Sequence, residues 1–148
     1  ADDAIILSAL QQMWSQIGID LNVEQVDGPT RGAKNRSGEF DIHTYGWVND
    51  VNDPSQVVGW LGYTPTAKAV GTGWEDAAFN ALYESSQTEV DPEKRAQEYV
   101  EMQEIYAEAA PLLFMYETPF AVAVSKVVDG YVQTPLGNNI FEEASVSR

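Results

Sequence analysis

The chain has 148 residues, 44% hydrophobic and 11% aromatic, which suits one folded domain with a sizeable core. Its 8 Lys and Arg against 23 Asp and Glu leave a formal net charge of −15, which repels phosphate backbones and anionic headgroups and argues against nucleic-acid binding. Cysteine is absent, excluding disulfides, thiolate nucleophiles and sulfur-ligated zinc, and no apolar run reaches the ~20 residues needed for a membrane span.

The start, Ala1-Asp2-Asp3-Ala4, has neither an initiating Met nor a basic leader, and is expected of a processed or excised chain. From Asp3 to Ile17 the residues Ile6, Leu10, Met13, Trp14 and Ile17 fall on one face of a helix, and Gly18 is its stop. Ile19, Leu21 and Val23 then alternate with Asp20, Asn22 and Glu24, the pattern of a half-buried strand. A short basic helix is predicted from Pro29 to Arg36, closed by Ser37-Gly38, followed by a second strand over Phe40, Ile42 and Thr44.

Asp53-Pro54 reads as an N-cap with proline in the first helical position, and Gln56 stands three residues after the cap; this helix should reach Trp60 or Leu61. Gly62 to Gly73 is predicted as a loop. Thr72-Gly73-Trp74-Glu75 matches a capping box, with Ala78, Ala81 and Leu82 as the packing face beyond it. Asp91-Pro92 opens a longer helix ended by Pro111, with Ala96, Tyr99, Val100, Met102, Tyr106 and Ala109 inward and the glutamates of 84–108 outward. Leu112 to Tyr116 is a continuous apolar run, expected as a strand covered on both faces. Phe120 to Val124 and Val127 to Val132 follow as further extended segments, giving a mixed α/β layer fold.

Few residues invite chemistry. The single histidine, His43, lies in a predicted strand and reads as structural, and no P-loop, dinucleotide turn or paired-histidine zinc motif is present. Asp53 reads as a cap. Asp50 sits in the loop between strand and helix, where α/β folds place ligands, and a carboxylate there can hold an ammonium group. Calcium is a rival reading for Asp50, Asn52 and Asp53, without the glycine and distal Glu of an EF-hand. Trp47 is either a flat wall beside that acid or a core residue; Trp14, Trp60 and Trp74 read as structural.

Several fragments in this order resemble family 5 extracellular solute-binding proteins, the dipeptide-, oligopeptide- and nickel-binding proteins of ABC importers. They are Leu10 to Leu21 with its Ile17-Gly18-Ile19 turn, Gly38-Glu39-Phe40-Asp41-Ile42, and the loop Gly46-Trp47-Val48-Asn49-Asp50-Val51-Asn52-Asp53-Pro54. The others are Asp91-Pro92-Glu93-Lys94-Arg95 and Ala110-Pro111-Leu112-Leu113-Phe114-Met115-Tyr116, in which Leu113 replaces the family's second proline. The resemblance implies a mixed sheet flanked by helices, one lobe of a type II periplasmic-binding-protein-like fold, with residues 1–148 forming a single domain, the C-terminal lobe of a two-lobed protein. It implies an extracytoplasmic setting, no catalysis, no cofactor and no metal, and as partners a peptide or other small solute, an importer permease and the N-terminal lobe. Asp50 would pair with a peptide's α-ammonium, while Trp47 and the backbone of Tyr45, Gly46, Val48 and Asn49 line the same side of a cleft. Two other readings stay open: a small acidic hydrolase using a carboxylate pair, and an interaction domain with no small-molecule site.

Overall fold

The computed structural model describes residues 2–67 and 71–147. It divides into two compact units: Ala1–Gly46 with Ala69–Gly71, and Trp47–Lys68 with Thr72–Arg148.

The first unit carries α1 (Asp2–Ser15) and α2 (Gly28–Ser37). Helix α1 ends as its sequence predicts. Gly18 takes φ +83°, its N–H donates to the Ser15 carbonyl at 3.2 Å, and Ile19 N–H donates to Trp14 at 3.0 Å, a paired closure that needs a left-handed residue at this place. Ile6, Leu10 and Trp14 form the half-buried stripe, whereas Met13 and Ile17 at the end of the predicted face are exposed. Helix α2 starts at Asp27, whose carboxylate accepts from Thr30 N–H at 2.8 Å, and stops at the left-handed Gly38. Between the helices Gln11 Nε2 donates to the Leu21 carbonyl at 2.8 Å, and Lys34 pairs with Glu24.

The second unit carries α3 (Pro54–Leu61), α4 (Thr64–Ala67), α5 (Ala77–Ser86) and α6 (Pro92–Ala109), then four two-residue strands, β1 (Val128–Asp129), β2 (Val132–Gln133), β3 (Asn139–Ile140) and β4 (Ser145–Val146). Strand β1 pairs antiparallel with β4 and β2 with β3. The core is Phe79 from α5 with Tyr99, Met102 and Tyr106 from α6, joined by half-buried Val58, Trp74, Leu82, Tyr83, Ile105 and Leu112. Trp74 meets the rings of Phe79 and Tyr106 edge-on, each at 5.1 Å, so it is structural as predicted. The Tyr106 hydroxyl donates to the Leu61 carbonyl at 3.0 Å, tying α6 to the end of α3, and burial pushes its pKa up to about 12. At Gly62, just past α3, any Cβ would overlap the Phe79 ring, so only glycine permits this approach.

Four expectations need correction. The predicted cap at Thr72 is displaced: Gly73 takes φ +65°, which no right-handed first turn admits, and α5 is capped by Asp76, whose carboxylate accepts from Phe79 N–H at 2.8 Å. The buried face of α5 moves with it, leaving Ala78 and Ala81 exposed while Phe79 is buried. On α6 the inward face is narrower than predicted, with Ala96, Val100 and Ala109 exposed. The third concerns strands. The chain has the mixed helix-and-strand class expected of it, but among the described residues 19–24, 40–45, 112–116 and 120–124 belong to no ladder. Leu113 and Phe114, predicted to be covered, are 74% and 72% exposed. Side-chain alternation marks a segment as fit for a sheet, but pairing needs a neighbour about 4.8 Å away. The predicted 62–73 loop contains the short helix α4, and residues 68–70 lie outside the described residues.

Candidate functional site

The predicted site residues fall on both sides of the division between units. Tyr45 and Gly46 close the first stretch of the first unit, where Tyr45 stands edge-on to His43 with ring centres 6.0 Å apart. Trp47, Val48, Asn49 and Asp50 open the second unit and lead into α3.

Within the second unit this loop is held by side chains. The Trp47 indole Nε1 donates to Asn49 Oδ1 at 2.8 Å, and Asn49 Nδ2 donates to the Asp53 carbonyl at 3.4 Å. The half-buried Trp47 ring lies 5.7 Å from Trp60, tilted by 35°. Trp60, read as structural, is partly exposed and packs beside Trp47. Val48 is exposed.

Asp53 is the cap the sequence predicts and more. Its Oδ1 accepts from Ser55 N–H at 2.8 Å, and both its oxygens accept from Arg95, at 2.8 Å from Nη2 and 3.0 Å from Nη1. Arg95 is itself fixed: Nε donates to the Ser86 carbonyl at 3.0 Å, Nη2 to the Tyr99 hydroxyl at 3.1 Å, and the guanidinium lies 4.9 Å from the Tyr99 ring centre. Hydrogen bonds from Arg95, then from Ser55, hold the Asp53 carboxyl well below the usual carboxylate range. An acid so depressed cannot serve as the proton donor of a carboxylate pair, which weighs against the hydrolase reading at this loop. Its oxygens are committed to Arg95 and Ser55, which a calcium ion would have to displace.

Asp50 is exposed and bound differently. Its backbone N–H donates to Gln56 Oε1 at 2.6 Å, and Gln56 Nε2 donates back to Asp50 Oδ2 at 2.7 Å. Among the described residues its Oδ1 accepts no hydrogen bond. Gln56 thus bypasses the backbone of the cap, where a capping box would put it, and reaches the acid three residues further back. The loop therefore offers an oriented carboxylate with one open oxygen, and separately an indole pair on the same loop and helix.

Residues 1–69 match the family described as bacterial extracellular solute-binding proteins, family 5 Middle. Over those residues the chain is similar to this family. It is 30% identical to di/tripeptide-binding protein 4 of Pseudomonas aeruginosa, over 97% of this chain and 27% of that protein. It is 31% identical to the oligopeptide-binding protein OppA of Bacillus subtilis, over 95% of this chain and 26% of that one. The structure of HbpA2 from Haemophilus parasuis superposes with a TM-score of 0.69 at 27% identity, covering 93% of this chain and 27% of that one. The chain thus spans about a quarter of the length of the curated relatives it matches. Its fold class is that of the type II solute-binding proteins. Among the described residues no helix is long and apolar enough to cross a membrane.

Sequence reasoning missed Gln56 as the partner of Asp50, Trp60 as the neighbour of Trp47, and Arg95 as the partner of Asp53. Gln56 and Trp60 had a usable signal: they stand four apart on one face of α3. Arg95 lies 42 residues from Asp53, and nothing local announces that pairing.

Proposed function

We propose that this chain is the C-terminal-lobe portion of a two-lobed solute-binding protein that captures peptides outside the cytoplasm for an ABC importer permease. Residues 1–148 serve as one lobe, closing against a second lobe on the solute, and the protein carries out no covalent chemistry. Asp50 takes the peptide's α-ammonium through charge-assisted hydrogen bonds, with Trp47 and the backbone of Val48 and Asn49 beside it. Closure around the solute then gives the permease a distinct shape to recognise.

The observation that supports this most is the Asp50 carboxylate, exposed, held by Gln56 and left with one oxygen open. Similarity to a solute-binding family supports capture rather than catalysis, and two relatives named for di/tripeptides and oligopeptides favour peptide as the solute. The half-buried seat of Trp47 against Trp60 argues against the evenly solvated surface of a mere interaction domain. Calorimetry on the full-length native polypeptide tests the reading with Ala-Ala and Ala-Ala-Ala. Asp50→Asn should weaken both by about tenfold or more, because the ammonium loses its charged partner. Equal affinity in the variant would dismiss Asp50 as the anchor.

A further inference from the structure

We propose that Gln56 is a positioning residue that sets the site's preference for a free α-ammonium by locking the Asp50 carboxylate; this rests on the reading of Asp50 as the anchor. One primary amide bonds both the backbone N–H and the side chain of the same residue, at 2.6 and 2.7 Å. That closes a ring which restrains the Asp50 side-chain torsion and leaves Oδ1 open. The task needs a donor and an acceptor on one planar group. Glutamine has both, an ionised glutamate has no donor, and methionine of similar length has neither.

The clamp is only as rigid as the helix that carries it, and α3 is well tied. Its cap, Asp53, is gripped at both oxygens by Arg95 of α6, and its last turn accepts the Tyr106 hydroxyl at the Leu61 carbonyl. Gln56 therefore projects from a fixed turn, and Asp50 is set before any ligand arrives. A carboxylate free to rotate must lose that freedom on binding, whereas one already held does not. The lock acts only on the group that Asp50 meets. A ligand whose amine is blocked meets no ion pair there and gains nothing from it.

The test uses the full-length native polypeptide, titrated calorimetrically with Ala-Ala-Ala and its N-acetyl derivative, for the native sequence, Gln56→Met and Asp50→Asn. Gln56→Met should weaken the free peptide by roughly three- to tenfold and leave the acetylated one unchanged, so that discrimination between them falls. In a crystal structure of the ligand-free variant, Asp50 should leave its present rotamer or occupy more than one. Equal losses for both peptides, or no loss for either, would overturn the proposal, since a merely structural glutamine moves both ligands together. If Asp50→Asn binds the free peptide as tightly as the native protein, the anchor reading itself fails. If that variant loses affinity but Gln56→Met does not, the anchor stands and the positioning role falls.

Discussion

Residues 112–124, the run that follows helices α5 and α6, are richer in apolar side chains than either helix, yet it is the helices that pack a core. Phe79 and Met102 are 2% and 1% exposed, while Leu113 and Phe114 lie mostly open. The contrast lies in how each segment satisfies its backbone. A helix pairs its own N–H and C=O groups, so only its apolar stripe needs a partner, and α5 and α6 are each other's. Residues 112–124 make no backbone–backbone hydrogen bond among the described residues. Apolar content alone does not bury a segment; somewhere for its peptide groups to pair does.

The largest expected effect comes from the packed side of this contrast. Phe79→Ala should lower stability by about 3–5 kcal/mol in chemical denaturation, because the ring touches Trp74 and Tyr106 and fills the space that Gly62 leaves open. A loss below about 1 kcal/mol would mean that this core is no better packed than the open run.

Next in size is the tie between α3 and α6. Arg95→Met should cost about 1–2 kcal/mol at neutral pH, since the two bonds from the guanidinium to Asp53 are charge-assisted but only partly buried. Asp53's carboxyl is depressed on folding, so its contribution is present above its unfolded pKa of about 3.9 and disappears as acid protonates the folded form. The difference between native and variant should accordingly be constant from pH 7 to about 5 and shrink in stronger acid. A difference that grows in acid would contradict this assignment.

Local chemistry explains which parts of this architecture could be read in advance. Asp53-Pro54 and Asp91-Pro92 both open helices, because a short carboxylate and a proline act within one turn of the chain. Tyr99, Met102 and Tyr106 could be placed inside from their spacing alone. Thr72 misled because its hydroxyl makes a local turn, accepting from Trp74 N–H at 3.3 Å, and the real cap stands four residues later. Misplacing that start rotated the expected face of α5 and hid Phe79. At the candidate site, Asp50 and Trp47 were legible from the loop motif. The Arg95 guanidinium was not, since its bonds to Asp53 depend on how α3 docks against α6 rather than on spacing. Strand pairing was the least legible of all, being settled by partners distant in sequence.

The junction between the two regions offers a smaller test. Helix α6 ends on Ala110, which takes φ +46° and ψ +47° while its N–H donates to the Tyr106 carbonyl at 2.9 Å. A left-handed residue with a Cβ costs roughly 1 kcal/mol, so Ala110→Gly should raise stability by up to about that amount, less the extra entropy glycine brings to the unfolded chain. Thermal unfolding of the two proteins measures this directly, and a destabilised variant would show that Ala110 sits comfortably in this conformation.

The smallest effect is expected within the open run itself. Leu113→Ser removes an apolar side chain that is mostly in contact with water already, so stability should change by less than about 0.5 kcal/mol. The substitution makes the contrast sharp because leucine at a packed position behaves so differently: truncating one in a core costs about 2–5 kcal/mol. If Leu113→Ser leaves denaturation unchanged in the chain of residues 1–148 but costs more than about 1 kcal/mol in the full-length native polypeptide, then further chain covers residues 112–124 and gives this run the pairing that its alternating and continuous apolar residues call for. If the cost is negligible in both, the run is an exposed surface in its own right, and its apolar side chains serve association rather than folding.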